Sequence, residues 1–369
     1  MGLRKRNNTE YNTGMGIESS KGRIEKKEGS FEETFAKRET IDVGDGGTVE
    51  VVDVPAAMPT DKEPIFFNPS YLVPINVYKY VIRDFAKSGR QTMSMNYARR
   101  GGSLDVPPED QAFMSTFPTE QRRQALELVQ VLNAKHVEET AIVGHSQGGA
   151  TAAIATVLMA RREKRGVGKN PVRNIVFFES AGLIGQDNPI RLAKGMASDP
   201  STQGKWGKSM DALPVSEEER AHSKAQGGYI PEYTAIAETP EDKEGGAAVQ
   251  GEQLAYLKQN LWRAGAEGWG LSQIQIHSLL RELKEEHGVG VLVISDVDSS
   301  LFPTERLAGT RDKKTGDVVP GTLSAADLDG FLSFRGDHAL RVPQVPFIEG
   351  WLSALENKKR RAVEVTTPK

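Results

Sequence analysis

The segment 141–149 carries a serine in a setting that favours nucleophilic chemistry. It reads Ala-Ile-Val-Gly-His-Ser-Gln-Gly-Gly and contains the pattern G-x-S-x-G with Ser146 at its centre. A short apolar run precedes the pattern and a stretch of small residues with helical character, 150–160, follows it, which is the context that a nucleophile elbow requires. Gly144 and Gly148 leave space where a Cβ would meet a neighbouring strand or helix. The segment therefore predicts a strained turn that presents the Ser146 hydroxyl to a carbonyl carbon.

A serine hydroxyl is a poor nucleophile unless a base removes its proton, so a histidine must lie near Ser146 in the fold. Of the six histidines, His338 is best placed, because it follows an apolar run, 331–334, that predicts a final strand. His145 stands beside the nucleophile, and we expect it to pack or to form hydrogen bonds rather than to act as the base. The sequence therefore predicts His338 as the general base.

A carboxylate should orient this histidine, and it is expected between the serine and the histidine in chain order. Asp296 and Asp298 lie in the turn that follows the predicted strand 291–295. Asp298 is preferred because it stands three residues beyond the strand, where the chain already turns outward. Glu179, at the end of the preceding predicted strand, is an alternative.

The composition excludes several other kinds of function. The chain has 369 residues with 47 Lys+Arg and 50 Asp+Glu, and its formal charge of −3 is spread without a basic stripe of the kind that binds nucleic acid. There are no cysteines, which excludes disulfides, thiolate metal sites and a cysteine nucleophile. Since neither H-x-H nor H-E-x-x-H occurs, we expect no metal site.

The sequence also suggests a location. Residues 1–40 contain no apolar stretch typical of a secretory signal peptide, and the longest apolar-rich run, 150–160, is far shorter than the roughly 20 residues that cross a bilayer. We therefore expect a cytoplasmic protein without a membrane span.

Along the chain, short apolar runs alternate with helical periodicity, which is typical of an α/β fold with helices packed on a mostly parallel sheet. Residues 1–40 are predicted to be a disordered tail, and the body is predicted to comprise 41–182 and 290–369. The block between them, 183–289, is too long for a loop in a compact domain and is interpreted as an inserted helical lid. Ser272 with Gln275 predicts a helical capping box within it.

The predicted lid holds three of the four tryptophans, Trp206, Trp262 and Trp269. Large aromatic side chains either pack a lid onto its body or line an apolar pocket. We therefore expect at least one of the three to contact the substrate.

Together these features resemble the α/β-hydrolase family over residues 41–182 and 290–369. The resemblance is carried by the elbow 144–149, Asp298 in the acid turn and the histidine loop 336–338. It implies an α/β-hydrolase fold, a mostly parallel sheet flanked by helices, with the inserted lid over the active site. It also implies hydrolase chemistry that needs no cofactor.

One departure from the family concerns the oxyanion hole, which the family commonly shapes with His-Gly after its third strand. Here the chain reads Phe-Phe-Asn-Pro-Ser-Tyr over 66–71. If Asn68-Pro69 replaces His-Gly, the second amide donor is Ser70; if the two phenylalanines do, it is Asn68. The first donor is expected to be the amide of Gln147, directly after the nucleophile.

The sequence therefore predicts a serine hydrolase that cleaves a carboxylic ester of a small or medium apolar substrate. The family resemblance also admits thioesters, lactones, carbon–carbon bonds and acyl transfer, because fold and triad do not fix the substrate. A catalytically silent member of the fold that binds a ligand or a protein is the alternative. The expected partner is a small-molecule ester, and the oligomeric state is left open.

Overall fold

The computed structural model describes most of the predicted body and four segments of the predicted insert, 183–192, 194–195, 233–235 and 261–289. The described residues are 31–58, 60–70, 73–98, 105–192, 194–195, 233–235, 261–296, 299–311, 314–315, 317–335, 338, 340 and 342–366. For 233–235, 261–264, 310–311, 318, 325, 335 and 358–366 the description covers the backbone alone.

Within these ranges, nine strands form one sheet in the order β1-β2-β4-β3-β5-β6-β8-β11-β7. Its strands are β1 (Glu39–Asp42), β2 (Thr48–Val54), β3 (Ile65–Asn68), β4 (Thr92–Asn96), β5 (Thr140–His145), β6 (Val172–Phe178), β7 (Tyr233–Ala235), β8 (Gly290–Asp296) and β11 (Gly330–Arg335). Strand β2 runs antiparallel to β1 and β4, and every other pair in the sheet is parallel. A separate antiparallel pair consists of β9 (Gly309–Arg311) and β10 (Val318–Pro320).

Helices cover both faces of this sheet. They are α1 (31–36), α2 (Lys79–Lys87), α3 (Pro108–Met114), α4 (Thr119–Ala134), α5 (Gln147–Lys164), α6 (Leu261–Gln273), α7 (His277–Arg281), α8 (Thr304–Ala308) and α9 (Val345–Thr366). Helix α7 continues into one π-helical turn, Glu282–Glu286. None of the helices in the described ranges combines the length and the apolar run that a bilayer crossing needs.

Two hydrophobic clusters lie on the two faces because successive side chains of a strand point in opposite directions. In β3, Phe66 belongs to the cluster under α4, α5 and α7, whereas Ile65 and Phe67 belong to the cluster under α2 and α9. Strands buried on both faces read as continuous apolar runs, which explains why they are recognisable in the sequence. The predicted fold class, an α/β-hydrolase fold with a mostly parallel sheet flanked by helices, is confirmed.

The described part of the N-terminal region differs from its prediction. The tail was expected to extend to residue 40, but α1 and the start of β1 lie before that point, and Phe35 is buried in the cluster under α2. Two stacked aromatic residues, Phe31 and Phe35, anchor this short helix among charged residues, and composition averaged over forty residues hides them. Residues 1–30 lie outside the described residues.

The C-terminal part of the insert packs on the body. Leu271, Ile274 and Ile276 lie in the cluster under α4 and α5, followed by Leu279, Leu280 and Leu283 of α7 and its continuation. Strand β7, also from the insert, extends the sheet beside β11. The lid and its boundaries stay a prediction for the remaining residues of 183–289.

Candidate active site

Ser146 occupies a strained turn between β5 and α5. Its backbone has φ 55° and ψ −119°, a conformation that non-glycine residues rarely adopt and that costs on the order of 1–3 kcal/mol. The turn is tight because α5 starts against the neighbouring strand: a Cβ on Gly148 would lie 2.3 Å from the carbonyl oxygen of Asn68. A Cβ on Gly144 would lie 2.5 Å from the Cα of Gly149. The nucleophile elbow predicted from G-x-S-x-G has the backbone geometry expected of it.

Backbone hydrogen bonds hold this turn in place. The amide of Ser146 donates to the carbonyl of Phe178 at 2.9 Å, and the carbonyl of Ser146 accepts from the amides of Gly149 at 3.2 Å and Ala181 at 3.1 Å. The elbow is therefore tied to the end of β6 as well as to its own helix. Ser146 is only 4% exposed, so bulk water has little access to it.

His338 faces a buried carboxylate that belongs to Glu179. The Nδ1 of His338 lies 3.3 Å from Oε2 of Glu179, and the second oxygen, Oε1, accepts from the backbone amide of Asp296 at 2.6 Å. The Glu179 side chain is fully buried and that of His338 is 11% exposed. A carboxylate on Nδ1 of a histidine is the pairing of acid and base found in a catalytic triad, and it turns the other ring nitrogen, Nε2, away from Glu179.

The backbone of Glu179 is also unusual. Its φ is 45°, in the left-handed region, and its amide donates to the carbonyl of Ile294 at 2.9 Å. Left-handed non-glycine residues persist only where the surroundings impose them, and they cluster at functional sites. This turn carries the carboxylate toward the edge of the sheet where Ser146 and His338 lie.

The structure describes one of the two aspartates proposed for the acid. Asp296 is buried at the end of β8, where Oδ1 of its carboxylate accepts from Nε2 of Gln344 at 3.2 Å. Asp298 lies outside the described residues. The carboxylate that the structure brings to His338 is thus the alternative from the preceding strand, and Asp298 stays a prediction. The signal that points to Glu179 in the sequence is a lone carboxylate at the end of an apolar strand, downstream of the serine and upstream of the histidine.

His145 uses both of its ring nitrogens for other contacts. Nδ1 lies 2.7 Å from the hydroxyl of Tyr78, and Nε2 lies 2.7 Å from the backbone carbonyl of His338. Burial, reinforced by the neighbouring His338, holds the pKa of His145 well below its usual range. A neutral imidazole with both nitrogens engaged is not a base for Ser146, as the sequence analysis predicted.

The predicted oxyanion donors differ in the hydrogen-bond partners that they have in the structure. Gln147 is the first residue of α5, where backbone amides have no acceptor within the helix and point toward the turn. The amide of Ser70 donates to the hydroxyl of Tyr78 at 3.3 Å. The Asn68 side chain is also engaged: its Nδ2 donates to the carbonyl of Gly148 at 2.7 Å. Of the predicted donors, Gln147 is the one that the helix start favours.

A buried polar layer lies behind the elbow. The side chain of Gln147 donates to Gln124 of α4, and the hydroxyl of Tyr97 donates to Oδ1 of Asn68 at 2.6 Å. Glu127 accepts from the amide of Ala98 at 3.1 Å. Side chains of α4 therefore hold both the start of α5 and the segment that follows β4.

Of the three tryptophans of the predicted pocket, Trp269 is the one whose side chain the structure describes. Trp206 lies outside the described residues, and Trp262 stands in the first turn of α6, of which only the backbone is described. Trp269, on the same helix, is 61% exposed. Since α6 also contacts α4, with a Cβ on Gly270 falling 2.4 Å from Oε1 of Gln121, Trp269 stands on an exposed part of a helix that is docked on the body.

One group of metal-type side chains occurs among the described residues, and ion pairs account for it. Glu282, Glu286 and His287 have ligand atoms within 4.8 Å of one another. Glu282 receives two hydrogen bonds from Arg161, at 2.6 and 2.7 Å, and Glu286 receives one from Lys164 at 3.0 Å. The carboxylates are thus bound to cations of α5, and they join α7 to that helix.

The comparisons with known proteins give a likeness of fold. No protein-family model matches the sequence, and no curated protein matches it either. Among solved structures, the chain is similar to a mutant meta-cleavage product hydrolase, with a TM-score of 0.49, 12% identity and coverage of 87% of this chain and 98% of that one. For a hydrolase from Pseudomonas aeruginosa the values are 0.48, 13%, 87% and 97%. For an esterase from a Rhodococcus species they are 0.46, 16%, 87% and 97%. Similarities of this size do not bear on the reaction, so the fold assignment stands on the sheet, the helices and the elbow described above.

Proposed function

We propose that the protein is a serine hydrolase that cleaves a carboxylic ester of a small or medium apolar substrate. The observation that carries the proposal is the contact between His338 Nδ1 and the buried carboxylate of Glu179, beside the strained elbow at Ser146. These are the three parts of an acyl-transfer triad, in the chain order serine, acid, histidine.

In acylation, Oγ of Ser146 attacks the carbonyl carbon of the ester while Nε2 of His338 takes the hydroxyl proton. The carbonyl oxygen gains a negative charge, and the backbone amide of Gln147 donates to it at the N-terminus of α5, where the helix dipole also favours an anion. The C–O bond to the alcohol then breaks, and the leaving alkoxide takes the proton from His338. The acyl group remains on Ser146.

Deacylation follows the same path with water as the nucleophile. His338 takes a proton from the water, the hydroxide adds to the acyl carbon, and the carboxylic acid leaves as Ser146 regains its proton. Glu179 remains ionised throughout, holds Nδ1–H and stabilises the imidazolium formed in each half-reaction.

The apolar character of the substrate is inferred from the surroundings of the site. Phe302 packs against the His338 ring at 5.3 Å between centroids, and the exposed Trp269 stands on α6, which docks beside α4. Aromatic groups of this kind favour an apolar acyl or alcohol group. We assign Trp269 to the rim of the substrate pocket, together with Trp206 and Trp262 as predicted from the sequence.

A fluorophosphonate probe and a panel of p-nitrophenyl esters of graded acyl length test the proposal. Wild-type protein should be labelled on Ser146 and hydrolyse the shorter esters, whereas Ser146→Ala should lose both properties. Ser115→Ala, which changes an exposed serine, is the matched control and should behave like wild type. Trp269→Ala should keep the melting temperature and change the preferred acyl length, because its side chain is mostly exposed.

Folded protein that reacts with neither probe nor ester would contradict the proposal and favour the catalytically silent binding protein. Labelling of Ser146 with hydrolysis of thioesters or lactones alone would keep the triad and correct the substrate class.

A further inference from the structure

Tyr78 places a buried hydroxyl between two loops of the candidate site. Its side chain lies at the start of α2, is 3% exposed, and packs its ring against Phe67 with 4.6 Å between centroids. The hydroxyl accepts from the backbone amide of Ser70 at 3.3 Å and lies 2.7 Å from Nδ1 of His145. Burial raises the pKa of Tyr78, so the hydroxyl keeps its proton and donates it to His145.

The two ends of this series of hydrogen bonds determine which atoms donate and which accept. A backbone amide, that of Ser70, only donates, and a backbone carbonyl, that of His338, only accepts. Nε2 of His145 must therefore carry a proton to donate to the His338 carbonyl at 2.7 Å, which leaves Nδ1 as the acceptor for Tyr78. The donors therefore follow one order. The Ser70 amide donates to the Tyr78 hydroxyl, the Tyr78 hydroxyl donates to Nδ1 of His145, and Nε2 of His145 donates to the carbonyl of His338.

This chain restrains His338 more tightly than the contacts of its own side chain do. The imidazole lies 3.3 Å from the Glu179 carboxylate and is flanked by the rings of His145 and Phe302, with centroids 5.0 and 5.3 Å away. The 2.7 Å hydrogen bond to its backbone carbonyl is the shorter contact. A shift of the backbone at His338 moves the whole ring, and misplacement by about 1 Å costs on the order of 10²-fold in rate.

We propose that Tyr78 and His145 are positioning residues, forming a neutral hydrogen-bond relay that holds His338 by its backbone carbonyl and links it to the loop at Ser70. The relay joins the side of the site where the base lies to the side where the second oxyanion donor is expected. The inference rests on the proposed function for its effect on rate, whereas the relay itself is a structural statement that is tested without substrate.

The variants Tyr78→Phe, His145→Gln and His145→Asn separate this role from general packing. Tyr78→Phe keeps the ring and removes the hydroxyl. The amide nitrogen of glutamine reaches about as far as imidazole Nε2 and can still donate to the carbonyl of His338, whereas that of asparagine reaches only as far as Nδ1. Thr116→Val, which removes an exposed hydroxyl far along the chain from the relay, is the control.

We expect Tyr78→Phe and His145→Asn to lower kcat by about 10–100-fold with KM nearly unchanged. His145→Gln, which keeps the donor to the His338 carbonyl but not the acceptor for Tyr78, should lose less of kcat than His145→Asn. In nitrogen NMR spectra of histidine-labelled wild type at neutral pH, His145 should be a neutral ring protonated on Nε2, with its N–H protected from exchange. In Tyr78→Phe that signal should shift and the His338 ring signals should move with it.

Two results would overturn the relay: a His145 ring that is protonated on Nδ1 or charged at neutral pH, or variants that keep wild-type kcat and leave the His338 signals in place. Equal loss in His145→Gln and His145→Asn would mean that the position serves packing alone. If the NMR signature is present but neither the ester panel nor the fluorophosphonate detects activity, the relay stands and the proposed function fails.

Discussion

His338 is held by contacts from three different parts of the chain. Glu179 meets its Nδ1, His145 meets its backbone carbonyl, and Phe302 packs on its ring. Each contact acts on a different feature of the residue: the tautomer, the backbone and the ring plane. At the scale of single residues, the geometry of the proposed base therefore depends on partners far apart in sequence.

The carboxylate is the contact with the largest expected effect on rate. Glu179→Gln keeps the shape of the side chain but removes the charge that stabilises the imidazolium, so kcat should fall by about 10⁴-fold while the fold is kept. The measurement is kcat on the best ester of the panel, with circular dichroism as the check on folding. Glu138→Gln, which changes an exposed carboxylate, is the control.

Asp298→Asn is the discriminating comparison for this prediction. If it lowers kcat as far as Glu179→Gln is expected to, while Glu179→Gln remains active, then Asp298 is the acid and the contact to Glu179 is a structural one.

Among the elements, α4 does more than cover the sheet. Its Arg123 and Glu127 form an ion pair, and both bind the backbone of Ala98. The Glu127 carboxylate accepts from the Ala98 amide, and the Arg123 guanidinium donates to the Ala98 carbonyl at 3.2 Å. The next residue back, Tyr97, binds Asn68, which in turn binds the start of α5. The helix thus supports the elbow from behind.

Glu127 makes this support sensitive to pH. Burial raises its pKa from 4.5 to about 7. Between these values the folded chain holds a proton that the unfolded chain has released, so the free energy of unfolding falls as pH rises through this window, by about 3 kcal/mol in all. The stabilisation is complete below the lower value and lost above the upper one.

Urea unfolding of wild type and Glu127→Gln between pH 5 and pH 8 measures this effect. The wild type should lose stability relative to the variant as the pH rises. Glu138→Gln, which changes an exposed carboxylate beyond the end of α4, should keep the wild-type pH dependence. Parallel curves for wild type and Glu127→Gln would show that Glu127 is ionised over the whole range.

The helices of the insert also show how neighbouring elements change a local pattern. Ser272 with Gln275 predicts a capping box, but Ser272 lies in the last turn of α6 and its hydroxyl donates to the carbonyl of Trp269 at 2.7 Å. The next helix starts at His277, and the amide of Ile276 before it donates to Gly182 at 3.0 Å. The body supplies an acceptor, the carbonyl of Gly182, that the local pattern does not contain. The helix therefore starts at His277 rather than after Ser272.

At the scale of the whole molecule, a buried cation fastens the C-terminal helix to the sheet. Arg90, fully buried before β4, donates to Glu349 and, at 2.6 Å, to Glu356, both on α9. It also donates to the carbonyl of Glu63 before β3 at 2.7 Å. One guanidinium thus joins three parts of the fold on the side of the sheet opposite to α4 and α5.

Removing this cation should destabilise the whole chain. Arg90→Met leaves Glu349 and Glu356 partly buried without its charge, and breaking a buried ion pair from one side costs about 3–5 kcal/mol. Arg173→Met, which breaks a more exposed pair with Glu139, should cost at most about 1 kcal/mol. The measurement is the free energy of unfolding in urea. Similar losses of stability in the two variants would contradict this role of Arg90.

Local patterns in the sequence determined most of the elements and the candidate nucleophile. The strands that carry the site are buried on both faces and read as apolar runs, and the elbow at Ser146 shows in its glycines because the turn leaves no room for a Cβ. His338 was predicted for the same reason, since it lies three residues after the end of a recognisable strand, β11.

The tertiary structure alone decided which groups meet His338. Asp298 is closer to it in the chain than Glu179, yet neighbouring parallel strands end at one edge of the sheet, and β6 and β8 are neighbours whose ends bring Glu179 and the amide of Asp296 together. The links from Ser70 through Tyr78 and His145 to His338 likewise depend on how α2, β5 and the last loop pack. A sequence states the distance along the chain, whereas a hydrogen bond depends on distance in space, and only the folded sheet converts one into the other.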